Sequence, residues 1–154
     1  MLRQDINDAL KTAMKAKDAR ATSTLRLILA ALKDRDIASR TEGKGMDGIG
    51  EDAILEMLQK MIKQRHDSID QYRKGNRPDL VQQEEEEIEI IKTFLPRQMS
   101  EDEVTAAIDA TVKDIGAVSI KDMGKTMSAL KERYAGKMDF TKASALVKAR
   151  LAAG

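Results

Sequence analysis

The chain has one histidine, His66, and no cysteine. The missing cysteine removes thiol nucleophiles, disulfides, zinc ribbons and iron–sulfur sites together. Any triad or histidine metal site would rest on His66 alone. It stands between Arg65 and Asp67 on the charged side of a predicted helix, and reads as a solvated helix residue. Glu84-Glu85-Glu86-Glu87 with Glu89 is the next candidate, since several carboxylates can hold Mg²⁺ or share acid–base work. Consecutive helical residues point in different directions, however, and the run lies in the first half of its helix, where negative charge complements the dipole. A solvated acidic face is the expectation. Gly124-Lys125-Thr126 imitates the end of a phosphate-binding loop, but that pattern needs a glycine where Ser119 stands and a preceding strand. Gly124 reads instead as a small residue that lets a helix pack closely. The stretch from Gly43 to Gly50 lacks the strand-then-helix setting of a dinucleotide fingerprint and reads as a flexible connector. The residues therefore lead us to expect no catalytic group, no cofactor and no bound metal.

The elements that would carry these residues are all helical. Leu2, Ile6, Leu10 and Met14 mark one face of a first helix. After a break at Lys17-Asp18, with Asp18 as N-cap, Leu25, Ile28, Leu29, Leu32 and Ile37 mark a second, ending near Arg40. A third runs from about Glu51 to Lys74 on Ile54, Leu55, Leu58, Met61, Ile62, Ile69 and Tyr72, with Gly75 as its C-cap. Arg65 lies beside that stripe, so its stem should rest on apolar surface and its head should find a carboxylate. Pro78 opens a fourth helix, with Leu80, Val81, Ile88, Ile91 and Leu95, and Pro96 stops it.

Beyond Pro96, Ser100 and Glu103 form a capping box with Met99 and Val104 as its hydrophobic staple. Val104, Ile108, Val112 and Ile115 carry a fifth helix to Gly116. Ser119 with Asp122 repeats a weaker cap. Met123, Met127, Leu130 and Tyr134 give a sixth helix, and Asp139 caps a seventh bearing Phe140, Leu146, Val147 and Leu151. The fold class expected is all-α, with a four-helix N-terminal part over residues 1–96 and a small three-helix C-terminal bundle over residues 97–154.

Composition agrees with this. The hydrophobic fraction of 42% is ordinary and the aromatic fraction of 3% is very low, so aliphatic side chains and methionine must fill the core. That suits helix-on-helix packing better than sheets. Charged residues make up 34% with a net charge of +1, so the overall charge does not advertise nucleic acid. The distribution is uneven. From Gly116 to Gly154 eight Lys or Arg face three acids; from Met1 to Arg40 nine face five; from Asn76 to Ile115 four face eleven. Two basic ends flank an acidic middle, and basic helices can bind phosphate backbones. No apolar run is long enough to span a bilayer, and Asp5 and Asp8 argue against a signal or transit peptide, so a cytoplasmic location is expected.

Several stretches resemble the YqeY-like proteins: Thr24-Leu25-Arg26-Leu27-Ile28; Lys60-Met61-Ile62-Lys63-Gln64-Arg65 followed by Asp67-Ser68-Ile69 and Tyr72; and Phe94-Leu95-Pro96-Arg97-Gln98 within Glu89 to Met99. Asp122-Met123-Gly124-Lys125 and Gly136-Lys137 resemble the tail of the GatB subunit of tRNA-dependent amidotransferases. The resemblance covers essentially the whole chain. It implies an all-α protein, and a C-terminal part related to one that helps hold tRNA while the cradle domain of GatB does the amidation chemistry. Nothing here resembles that cradle domain or an amidase. The function expected is thus a non-catalytic tRNA- or RNA-binding helper. The candidate contacts are Lys121, Lys125, Lys131, Arg133, Lys137, Lys142, Lys148 and Arg150, with tRNA or a tRNA–enzyme complex as partner, and neither DNA nor a membrane. Lys121, Lys125 and Lys131 are expected close to one helix face. The alternatives are an accessory protein docking on a partner enzyme without RNA contact and, ranked last, a carbon–nitrogen ligase with glutamine as amido-N-donor.

Overall fold

The computed structural model of the chain describes residues 1–43 and 48–153. It is all-α, with seven α-helices and no strand among the described residues. The chain divides into two compact units, Met1–Pro96 and Arg97–Gly154.

The first unit holds α1 (Leu2–Lys15), α2 (Ala19–Thr41), α3 (Glu51–Lys74) and α4 (Pro78–Lys92). Its core is aliphatic: Ile6, Leu25, Ile28, Leu32, Ile54, Met57, Leu58, Met61 and Ile91 are buried together. Local signals set the ends. The Asp18 carboxylate accepts the Ala21 N–H at 3.0 Å, a cap that contributes about 1 kcal/mol. Pro78 sits in the first turn of α4, where its missing N–H leaves nothing unpaired. Gly75 closes α3, but its φ is −85°; the left-handed residue is the next one, Asn76, at φ 55°.

Three side chains depart from the expected apolar faces. Met14 is exposed and Ala13 is buried in its place. A strict spacing of four drifts about 40° per step on a helix of 3.6 residues per turn, so Met14 has rotated about 80° from Ile6 while Ala13 lies within about 20°. Ile37, five residues after Leu32, points about 140° away from it and is exposed. On the last helix Leu146 is exposed while its neighbour Val147 is fully buried.

The connector between α2 and α3 was expected to be flexible; residues 44–47 lie outside the described ones. Its far end is held. Arg3 donates to both carboxylate oxygens of Asp36 at 2.6 and 2.7 Å and to the Ile49 carbonyl at 2.8 Å, while Asp36 also accepts the Ile49 N–H at 2.9 Å. The Arg3 guanidinium, helped by that N–H, keeps the Asp36 carboxyl below its ordinary range against the opposing effect of burial. Gly48 has φ 84°, which favours glycine, and a Cβ there would displace the paired Asp36 and Arg3 side chains.

The second unit holds α5 (Glu101–Ile115), a 3₁₀ turn (Ile120–Asp122), α6 (Met123–Arg133) and α7 (Phe140–Ala152). Ala107, Ile108, Val112, Leu130, Met138, Ala143, Val147 and Leu151 form its own buried core. The capping box closes α5 reciprocally: the Ser100 hydroxyl accepts the Glu103 N–H at 3.2 Å and the Glu103 carboxylate accepts the Ser100 N–H at 3.0 Å. Met99 and Val104 pack on this core as the staple requires. Gly116 ends α5 in the left-handed region, at φ 67°. Asp139 caps α7 through the Thr141 and Lys142 N–H groups.

Candidate functional site

In the first unit the charged residues that matter are buried rather than solvated. Arg65, on α3, donates from Nε to Glu87 Oε2 at 3.0 Å and from Nη1 to the Met61 carbonyl at 3.1 Å, with Glu84 at 4.0 Å. Glu87 is only 6% exposed and Glu84 is half-buried. The expected solvated acidic face is therefore corrected: Glu84 and Glu87 are three residues apart, share one side of α4, and face α3. Burial first, then the neighbouring Glu87 charge, pushes the Glu84 carboxyl up, against the pull of Arg65. The rest of the run does lie outward, Glu86 pairing with Arg20 and Glu85 with Arg73. The pairing foreseen for Arg65 is present. The cluster ties α3 to α4, and it lines neither a shallow depression of about 330 Å³ beside Arg40 nor one of about 590 Å³ beside Arg77. His66 is exposed.

The eight cations singled out in the second unit fall into three groups. Arg133 donates to Asp114 at 2.8 Å and Arg150 to Asp109 at 3.0 Å, so both are drawn toward α5 rather than toward the lysines. Lys125 donates from Nζ to the Ile115 carbonyl at 3.2 Å, covering an open C-terminal carbonyl of α5. Lys121, Lys131, Lys137, Lys142 and Lys148 are exposed and form no ion pair among the described residues. The helical spacing assumed for Lys121 does not hold: it lies in the 3₁₀ turn before α6. On α6 itself Lys125 and Lys131 point about 120° apart, so that helix does not gather them on one face. Lys137 lies between α6 and α7, where its carbonyl accepts the Met99 N–H at 2.9 Å. Lys113, near the end of α5, is a further exposed cation that the sequence reading left out.

Gly124-Lys125-Thr126 lies within the first turn and a half of α6, with the buried Thr126 hydroxyl donating to the Asp122 carbonyl at 2.9 Å. A Cβ at Gly124 would meet open space, which corrects the reading of that glycine as a close-packing residue. Among the described residues no group of His, Cys, Asp or Glu is placed to hold a metal ion, and no helix is long and apolar enough to cross a membrane.

The chain matches the model of the Yqey-like protein family over residues 3–151. It belongs to this family. Similar curated proteins are named "Altered inheritance of mitochondria protein 41, mitochondrial". The one from Lachancea thermotolerans is 42% identical over 106 residues, covering 69% of this chain and 53% of that protein. That from Eremothecium gossypii is 35% identical over 116 residues, covering 74% and 58%. That from Saccharomyces cerevisiae strain YJM789 is 37% identical over 106 residues, covering 69% and 54%. The chain thus spans about half the length of the curated relatives it matches. Their names overturn the expectation of a cytoplasmic location. The cytoplasmic expectation rested on the lack of an apolar span and on acidic residues near the N-terminus, and neither feature distinguishes one aqueous compartment from another.

Proposed function

We propose that this YqeY-family chain is a non-catalytic helper that contacts RNA, with tRNA as the first target, through the lysines of its C-terminal unit. The observation that carries the reading is the split among its cations. The two arginines are neutralised by α5 carboxylates, while five lysines remain exposed without an ion pair among the described residues. Unpaired, solvated ammonium groups are the point charges that phosphate oxygens attract. The C-terminal unit has only Tyr134 and Phe140 as aromatic side chains, both half-buried against its core, so little is left for stacking on bases. Contact to the backbone and recognition of shape follow.

The test is a titration of labelled tRNA at several salt concentrations with wild type and the Lys131→Glu, Lys142→Glu, Lys148→Glu triple variant. All three residues are exposed, so folding should be retained. The variant should bind more than about tenfold more weakly at low salt, and its log Kd should depend less steeply on log salt, since each lost phosphate contact removes about 0.7–0.9 from the slope. Equal affinities and slopes would remove these lysines from the reading. No binding by wild type at low salt would replace it with docking on a partner protein.

A further inference from the structure

The segment between α5 and α6 is unusual for a surface turn. Val118 and Ile120 are 75% and 50% exposed, and among the described residues Val118 is the most exposed large apolar residue after Met1. Ser119 between them is extended, at φ −151° and ψ 172°, and half-buried, whereas the aliphatic residues on either side of it are exposed. The turn is not loose. The Asp122 carboxylate accepts the Val118 N–H at 2.8 Å and the Ser119 N–H at 3.3 Å, and the Asp122 N–H returns to the Ser119 carbonyl at 2.9 Å. Those two amide donations hold the Asp122 carboxyl below its ordinary value.

Cations flank this tip along the chain. Lys121 follows Ile120 directly, Lys113 is exposed near the end of α5, and Lys125 reaches the Ile115 carbonyl, which places its ammonium at the base of the turn. The nearby acids are occupied: Asp114 pairs with Arg133, and Asp122 holds the two turn amides.

We propose that the Val118–Ile120 tip docks this protein onto the surface of an anionic phospholipid bilayer. The two aliphatic side chains would enter the headgroup–acyl boundary while Lys113, Lys121 and Lys125 meet lipid phosphates. Three features select this partner. Phosphate contact alone gives no reason to hold two branched aliphatic side chains in water, whereas an interface takes them up. The amides of Val118 and Ser119 are already satisfied, so burying the tip strands neither donor. The flanking charges are positive, as attraction to anionic lipid requires. Such a contact departs from the expectation that no membrane is a partner; it is peripheral, and no helix among the described residues crosses a bilayer.

The experiment uses the full chain and sedimentation with vesicles of phosphatidylcholine, with and without about 30% phosphatidylserine. Wild type should partition onto the anionic vesicles at least about tenfold more than onto neutral ones, and salt should weaken it. Val118→Ser with Ile120→Ser should reduce that partition at least about tenfold while leaving the melting temperature and tRNA titration as in wild type. Because the chain has no tryptophan, Val118→Trp supplies a single reporter, and its emission should shift to the blue on anionic vesicles only. Wild type remaining in the supernatant, or the double serine variant partitioning like wild type, overturns the proposal. Loss of vesicle binding with retained tRNA binding, or the reverse, separates this proposal from the RNA reading.

Discussion

Replacing Arg65 with methionine is the sharpest test of how the N-terminal unit is held together. Methionine keeps most of the length and the apolar stem, so the packing of that stem is largely conserved and the charge is what disappears. In the native unit the Arg65 and Glu87 side chains are only 13% and 8% exposed and meet at 3.0 Å. Removing one partner of a buried pair leaves an uncompensated charge and costs about 3–5 kcal/mol. Glu84, at 4.0 Å from the same guanidinium, loses its favourable neighbour as well. For a unit of this size each kcal/mol moves the midpoint by roughly 4–8 °C, so Arg65→Met should melt at least about 12 °C below wild type. The pH dependence has a definite sign. Glu84 is already pushed above its ordinary value by burial and by Glu87, and loss of the arginine can only raise it further. A carboxyl raised in the folded state binds its proton there before it does in the unfolded chain. Its penalty is therefore full above that raised pKa and is relieved as the pH falls through it. The deficit of the variant should shrink on acidification into the carboxylate range. Adding Glu87→Leu to Arg65→Met should recover most of the loss, because well-packed apolar residues replace buried ion pairs at little cost. Thermal melts followed by circular dichroism at several pH values measure all of this. A midpoint within about 3 °C of wild type at neutral pH would show that the pair is not the tie between α3 and α4.

Two further outcomes follow in the C-terminal unit. The Thr111 hydroxyl is fully buried and has no hydrogen-bond partner among the described residues, so Thr111→Val should raise stability by about 1 kcal/mol in denaturant titrations; a loss of that size would mean that the hydroxyl is satisfied in solution. Glu103 is held down to about 2, first by the Arg97 guanidinium and then by the Ser100 N–H. A depressed carboxyl contributes stability above its unfolded value and loses it as the pH falls toward the folded one, so Glu103→Gln should melt lower than wild type at neutral pH, with the gap closing on acidification. Glutamine can still complete the capping box, so a gap that ignores pH would assign the effect to shape rather than charge.

The features legible in the sequence are those whose partners lie within a few residues. Asp18 caps Ala21, Ser100 and Glu103 cap each other, Asp139 caps Thr141 and Lys142, and Pro78 opens α4, because each interaction closes inside one helical turn. The bounds of α3 were readable from Glu51 to Lys74 for the same reason: periodicity and a terminal glycine are local. Tertiary structure alone decided where the charges went. Glu87 sits beside Glu86 in sequence, yet one is buried on Arg65 and the other lies outside on Arg20, because a helix turns 100° per residue and only the packing of α3 against α4 says which direction is inside. The Arg3–Asp36–Ile49 tie spans 33 and 46 residues of chain, and no local pattern encodes it. The same holds for the cations of the C-terminal unit. The sequence counted eight, but the fold neutralises Arg133 and Arg150, sets Lys125 on the Ile115 carbonyl and leaves five lysines in water, since an ion pair depends on what α5 presents 19 and 41 residues away.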